Sequence, residues 1–162
     1  EIYYARIGAL LHDIGKIGIP TELIQKKGPL TELDREVLNS HTLLSERILG
    51  EVEYLRPALD IPRYHHERYD GRGYPHGLAG QDIPLIARVI CVADCFDAMT
   101  SNRTYRRALP VEAALVEIRR CAGTQFDPVF ADAINELGAE AIRTITSTIG
   151  VEQDRRADRL AA

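Results

Sequence analysis

Apolar residues return at helical spacing along most of the chain. Ile2, Ile7, Leu10, Leu11 and Ile14 form a first stripe, and Gly15 stops it. Residues 16–30 lose the period: Pro20 and the Lys26-Lys27-Gly28-Pro29 turn predict a loop, with one helical turn at 21–25. Thr31, with Asp34 three residues on, predicts a capped helix start. The helix after it carries Leu33, Val37, Leu38, His41, Leu44, Ile48 and Leu49 on one stripe and ends at Gly50. A further helix is predicted over residues 57–69, kinked or restarted at Pro62, which lacks a backbone N–H. Residues 70–83 are a Gly- and Pro-rich loop. Asp82 and Pro84 then open the most apolar helix, about 83–100. Pro110 opens another that Gly123 closes, Asp127-Pro128 opens one closed by Gly138, and a last runs from 139 to Gly150. Alternating, strand-like runs are short. The pattern predicts an all-α bundle of about seven helices over residues 1–150, followed by a charged tail over 151–162.

Composition narrows the class of protein. A chain of 162 residues is one domain by size and buries enough surface to fold without disulfides. Hydrophobic residues at 45% and charged residues at 27% exclude wholesale disorder. The longest nearly apolar stretch, Ile83 to Ala93, is broken by Pro84 and Arg88 and is too short to span a bilayer. Residues 1–6 lack the basic start and apolar run of a secretory leader. A net charge of −4 argues against binding DNA through bulk positive charge, so no DNA partner is expected. Cys91, Cys95 and Cys121 form no CxxC pair, and an odd count fits a reducing cytoplasm. Cys91 and Cys95 read as small core side chains. The chain opens at Glu1 inside a helical pattern, so a further segment is expected upstream.

The chemistry lies in the placement of His and Asp. His12 and Asp13 are adjacent near the first helix end, and His41 sits on the second stripe. His65 and His66 are adjacent on the third helix, and Asp94 lies in the most apolar one. Singly, each has a plain structural use: a satisfied core histidine at 41, or a partner for Arg88 or Arg103 at Asp94. Lys16 alone is a solvated lysine, and Gly71 to Pro75 alone a connecting loop. Together they differ, because burying several imidazoles and two carboxylates is costly unless they are paired or hold a metal. Helical bundles build metal sites from such inward-facing side chains. Antiparallel packing of successive helices would bring all six to one point.

Neighbours on a helix point ~100° apart, so adjacent ligands serve two ions or two sides of one. Asp13, with two oxygens, would bridge. Imidazole and carboxylate ligands suit Fe, Mn or Zn, and a pair of such ions suits in-line phosphoryl displacement. Lys16 offers a point charge for phosphate, and Arg103, Arg106 and Arg107 offer guanidinium forks. Tyr74 offers a ring for base stacking.

The strings His12-Asp13-Ile14-Gly15-Lys16, His41, and His65-His66-Glu67-Arg68-Tyr69-Asp70-Gly71-Arg72-Gly73-Tyr74-Pro75 resemble the HD-GYP family of bacterial cyclic di-GMP phosphodiesterases. That family is a branch of the HD phosphohydrolases. The run from Asp94 to Arg106 and Phe126-Asp127-Pro128 match as well, so the resemblance covers about residues 5–137. It implies an HD-domain helical bundle around two or three divalent ions, Fe or Mn. It implies metal ligation by His12, Asp13, His41, His65, His66 and Asp94, with Lys16 contacting phosphate beside the catalytic Asp13. It implies a substrate pocket lined by Gly73, Tyr74, Pro75, Asp97, Arg103 and Arg106. The reaction implied is hydrolysis of cyclic di-GMP to pGpG, with GMP after a second cut.

An upstream sensory or receiver domain, a homodimer, and contacts between the 70–80 loop and GGDEF cyclases belong to the same expectation. Two departures stand out. The family places a further His, in some members also a Glu, on a helix ahead of the HD pair, and Glu1 begins after that point. Thr42 and Ser45 stand where the family tends to show Pro and Gly. The alternatives are a catalytically weak cyclic di-GMP-binding or cyclase-docking module, or an HD phosphohydrolase acting on other nucleotides.

Overall fold

In a computed structural model the chain is an all-α bundle, and the structure describes residues 2–102 and 107–161, with backbone alone from 149 onward. The helices are α1 (Ile2–Leu11), α2 (Thr21–Ile24), α3 (Glu32–Asn39), α4 (His41–Gly50), α5 (Asp60–Tyr64), α6 (Leu85–Thr100), α7 (Val111–Arg120) and α8 (Pro128–Ala161). Short 3-10 turns cover Ile14–Gly18, Glu53–Ala58 and Gly80–Asp82. Among the described residues, β pairing is confined to the isolated bridges Asp70–Ala79 and Ala122–Phe126. No helix among them is long and apolar enough to cross a membrane.

The C-terminal half holds the main apolar core. Cys91, Val92 and Phe96 of α6 pack with Ala114, Leu115 and Ile118 of α7 and with Phe126, Ala131 and Ile142. Cys91 is buried there and Cys95 packs beside it, as small apolar side chains do. The buried Arg88–Asp127 ion pair ties α6 to the start of α8. Asp127 also caps that helix by accepting the Val129 N–H at 2.9 Å. Arg88 is thus the partner of Asp127 rather than of Asp94.

In the N-terminal half α1 and α4 each pack against α5, and the 3-10 segment after α1 lies on α4. Gly8 lets α1 lie on Ala58 and Ile61, where a Cβ would meet Ala58 O at 2.8 Å. The packed face of α1 therefore excludes Ile2 and Leu10, both expected on the buried stripe and both largely exposed. Leu33 and Ile48 of the next stripe are exposed as well, while His41 and Leu49 are buried.

Several boundaries differ from the sequence expectation. The helix expected over 31–50 divides at Ser40, whose hydroxyl donates to Val37 O at 2.7 Å and competes with the helical ladder. Its start is as expected, a capping box between Thr31 and Asp34. The helix expected over 57–69 is a 3-10 turn followed by α5, which ends before the histidine pair. Pro62 sits buried in the first turn of α5, where a missing N–H is tolerated. Asp82 does not cap α6, since Pro84 occupies that position. Gly138, at φ 73°, breaks α8 as expected. Beyond it, the helical backbone runs past Gly150 to Ala161. Ala, Leu, Arg, Glu and Gln, all good helix formers, supply much of that stretch.

Candidate metal centre

His12 and Asp13 lie in the turn between α1 and the 3-10 segment Ile14–Gly18. That turn is pressed onto α4. A Cβ on Gly15 would lie 2.0 Å from His41 O and 2.6 Å from Ser45 N, so only glycine fits. Ser45 fastens the contact, accepting the Gly15 N–H at 2.8 Å and donating to His12 O at 3.3 Å. Asp13 is thereby aimed at His41, the first residue of α4.

Three imidazoles are oriented in the same way. Nδ1 of His12 donates to Ala9 O, and Nδ1 of His41 donates to Leu38 O, both at 2.7 Å. Nδ1 of His65 donates to Ile61 O at 3.0 Å. A carbonyl only accepts, so these rings carry their proton on Nδ1 and present the Nε2 lone pair to the centre. Backbone carbonyls commonly fix metal-ligating histidines in this fashion.

The Nε2 atoms converge on Asp13. Oδ1 lies 3.3 Å from His41 Nε2 and 3.8 Å from His65 Nε2. Oδ2 lies 3.3 Å from His12 Nε2 and accepts from Lys16 Nζ. His12 Nε2 is also 3.7 Å from Asp94 Oδ1. One ligand atom each from Asp13, His41, His65 and His66 falls within 4.8 Å of the others. Asp13 Oδ1, His41 Nε2 and His65 Nε2 are buried and have no hydrogen-bond partner. Lone pairs facing a carboxylate oxygen repel it, and a cation between them removes the repulsion. The donor set therefore fits divalent metal.

Titration behaviour agrees with that fit. Burial pushes His65 down to about 4 and His66 down to about 2, and it lowers His41 too. Neutral imidazoles at neutral pH are the ligating form. Burial favours protonation of Asp13, but His12 and Lys16 together hold its carboxyl well below the usual range. The Asp13 carboxylate beside it favours the protonated form of His12 and raises it against its burial.

All six expected ligands gather here, though His65 and His66 follow α5 rather than sit on it. Lys16 is exposed beside Asp13. The Gly73-Tyr74-Pro75 loop closes one side: the Tyr74 ring stacks on His66 with centroids 4.8 Å apart. Asp97 lies one helical turn beyond Asp94, exposed and accepting from Ser101 Oγ at 3.3 Å. Arg103 and Arg106 lie outside the described residues.

Sequence reasoning passed over two residues. Ser45 stands in the sequence only as a departure from the family pattern, and Glu67 only as one letter of a longer string. Glu67 is buried, and its carboxylate accepts the N–H groups of His76 at 2.7 Å and of Gly77 and Leu78 at 3.1 Å. No periodicity could announce an acceptor for donors nine to eleven residues away.

The sequence profile of the HD domain matches residues 4–130. A cyclic di-GMP phosphodiesterase of Thermotoga maritima is 42% identical over 142 residues, 86% of this chain and 38% of that protein. The cyclic di-GMP phosphodiesterase response regulator RpfG of Xanthomonas campestris is 41% identical, over 83% of this chain and 36% of its own length. The 3'3'-cGAMP-specific phosphodiesterase 3 of Vibrio cholerae is 38% identical, over 77% and 27%. A crystal structure of a cyclic GMP-AMP-specific phosphodiesterase of Vibrio cholerae shares the fold, with a TM-score of 0.61 at 19% identity, covering 83% of this chain and 37% of that one. The chain thus spans less than two-fifths of the length of these relatives. Domain match, identity and the His/Asp cluster agree: the chain belongs to the HD domain family, in its HD-GYP branch.

Proposed function

We propose that this chain is a metal-dependent phosphodiesterase domain that opens cyclic di-GMP to linear pGpG, with GMP after a second cut, in bacterial signalling. The observation that carries this reading is the two-sided Asp13 carboxylate, with buried, unpartnered imidazole nitrogens on its Oδ1 side. Relatives named for cyclic di-GMP hydrolysis support the substrate.

Asp13 Oδ1, His41, His65 and His66 would hold one ion; Asp13 Oδ2, His12 and Asp94 would hold a second. Two or three ions, Fe or Mn, suit this imidazole and carboxylate set. When bound, such ions acidify water and draw charge from a phosphodiester. The chain's own groups bind and orient. Lys16 Nζ, exposed and paired with Asp13, is placed to swing onto a phosphate oxygen. Tyr74, with Gly73 and Pro75, walls the site on the loop side. Asp97, Arg103 and Arg106 would complete the substrate wall. A cytoplasmic location, and contact of the 70–80 loop with GGDEF cyclases, go with the same reading.

The test is cyclic di-GMP turnover with Fe2+ or Mn2+ by the wild-type chain and by Asp13→Ala. Turnover by the first alone is expected, and equal turnover by both ends the reading. The Vibrio relatives named for 3'3'-cGAMP favour that dinucleotide as a second candidate, which competition between the two in one assay decides.

A further inference from the structure

His66 is held differently from the other three histidines of the centre. Helix carbonyls orient His12, His41 and His65 through Nδ1. Among the described residues no hydrogen bond fixes the His66 ring. Its plane follows Tyr74, whose ring lies against it at an interplanar angle of 29°. The edge of His41 closes on both rings, with centroids 5.1 Å from His66 and 6.3 Å from Tyr74.

Tyr74 is in turn placed by its loop. Its N–H donates to His66 O at 3.3 Å. Gly73 presses so closely on the same backbone that a Cβ would stand 2.3 Å from Arg68 N and 2.6 Å from His66 O. The return limb of the loop is tied by Glu67, which gathers the three N–H groups of His76, Gly77 and Leu78. Glu67 is 2% exposed, and it is the residue after His66. A side chain that pins the far limb of the loop therefore grows from the backbone on which the near limb rests. Two of these donors share Oε1 and the third uses Oε2, so exchanging the carboxylate for an amide sets an NH2 against at least one backbone N–H and loosens the loop that carries Tyr74.

We propose that Glu67 is a positioning residue for His66, acting through the 73–78 loop and the Tyr74 ring. It serves the fourth histidine as carbonyls serve the other three. The inference rests on the metal-centre reading and not on which dinucleotide is the substrate.

The experiment is Mn2+ titration of the whole chain, with pulsed EPR of the bound ion and circular dichroism as a check on folding. Glu67→Gln and Tyr74→Leu are each expected to weaken Mn2+ binding about tenfold, the scale of losses at residues that support ligands. Both should reduce the imidazole nitrogen coupling of bound Mn2+ while helical content stays unchanged. If Glu67 acts through Tyr74, the double variant binds no more weakly than Tyr74→Leu. Wild-type affinity in Glu67→Gln, or additive losses in the double variant, would overturn the proposal. Should Glu67→Gln fail to fold, Gly77→Ala takes its place, because it strains the same turn at φ 68° and keeps the carboxylate. Wild-type affinity and coupling in that variant overturn the proposal as well. A wild-type chain that binds no Mn2+ would remove the metal centre and this role together, whereas binding without turnover would remove only the proposed activity.

Discussion

Gly15 donates its N–H to Ser45 Oγ at 2.8 Å, joining the turn that carries His12 and Asp13 to the helix that begins at His41. The contact tolerates no side chain at Gly15, because a Cβ would fall 2.0 Å from a backbone oxygen that cannot swing aside. Gly15→Ala is therefore expected to push α4 away and to lose about 2–3 kcal/mol of stability, the scale of overpacking in a filled interior. Urea denaturation checks this. The same variant should bind Mn2+ more weakly, because the displaced backbone carries His41. A wild-type urea midpoint would count against the account of this contact.

Metal should stabilise the fold measurably. Asp13 Oδ1, His41 Nε2 and His65 Nε2 are buried without partners, and a cation supplies one to all three. A ligand at a hundred times its Kd adds about 2.7 kcal/mol to a chain that binds it only when folded. For a chain of this size that is roughly 5–10 °C in Tm. Mn2+ should raise the melting temperature by that amount, EDTA should reverse it, and His65→Ala should show no such rise. A Tm indifferent to Mn2+ would speak against the centre.

The convergence of His12, Asp13, His41, His65, His66 and Asp94 was legible because imidazoles and acids on otherwise apolar stripes need an explanation, and a shared cation would supply one. What covers a stripe was not legible. Ile2 and Leu10 keep the helical period, yet the packed face of α1 is set by Gly8 meeting Ala58 and Ile61. The division at Ser40 depends on one hydroxyl choosing Val37 O, a local choice that periodicity does not register. The partner of Asp94 stayed open in the sequence, since Arg88 was available to it. Asp127, 39 residues along, takes Arg88 instead and leaves Asp94 facing His12. Glu67 escaped notice for the same reason: its partners are backbone donors, which carry no residue type.

The metal-free chain should lose stability in mild acid. Burial lowers His41, His65 and His66, the second to about 4 and the third to about 2, from an ordinary value of 6.5. Below 6.5 the unfolded chain takes up protons that the native rings refuse, so native stability falls as pH drops from 6.5 toward 4. Above 6.5 these rings contribute no slope. His12 has the opposite sign: its raised value favours the fold below the unfolded pKa and fades as pH rises through the folded one. Three depressed histidines against one raised make acid lability the net expectation. Denaturant midpoints in EDTA at pH 7 and pH 5 measure it. His65→Gln should flatten the slope, and a midpoint that rises toward pH 5 would refute the sign.

The Arg88–Asp127 pair predicts a loss of stability that spares the metal centre. Both side chains are mostly buried, at 14% and 3% exposed, and Arg88 Nε also donates to Ile83 O at 3.0 Å. Removing one member of a buried pair strands the other charge in a poor solvent, which costs about 3–5 kcal/mol. Asp127→Ala strands Arg88 and also removes the acceptor for the Val129 N–H, so α8 loses its anchor and its cap together. Thermal unfolding should show a lower Tm than for Arg88→Met, which leaves the cap in place. Replacing both charges, as Arg88→Met with Asp127→Asn, removes the stranded charge and keeps an N-cap acceptor, so it should recover part of the loss. Mn2+ affinity in the folded variants should match the wild type, since neither residue is among the groups that gather on Asp13. A single variant that lost Mn2+ while keeping its Tm would mean that this pair serves the centre directly.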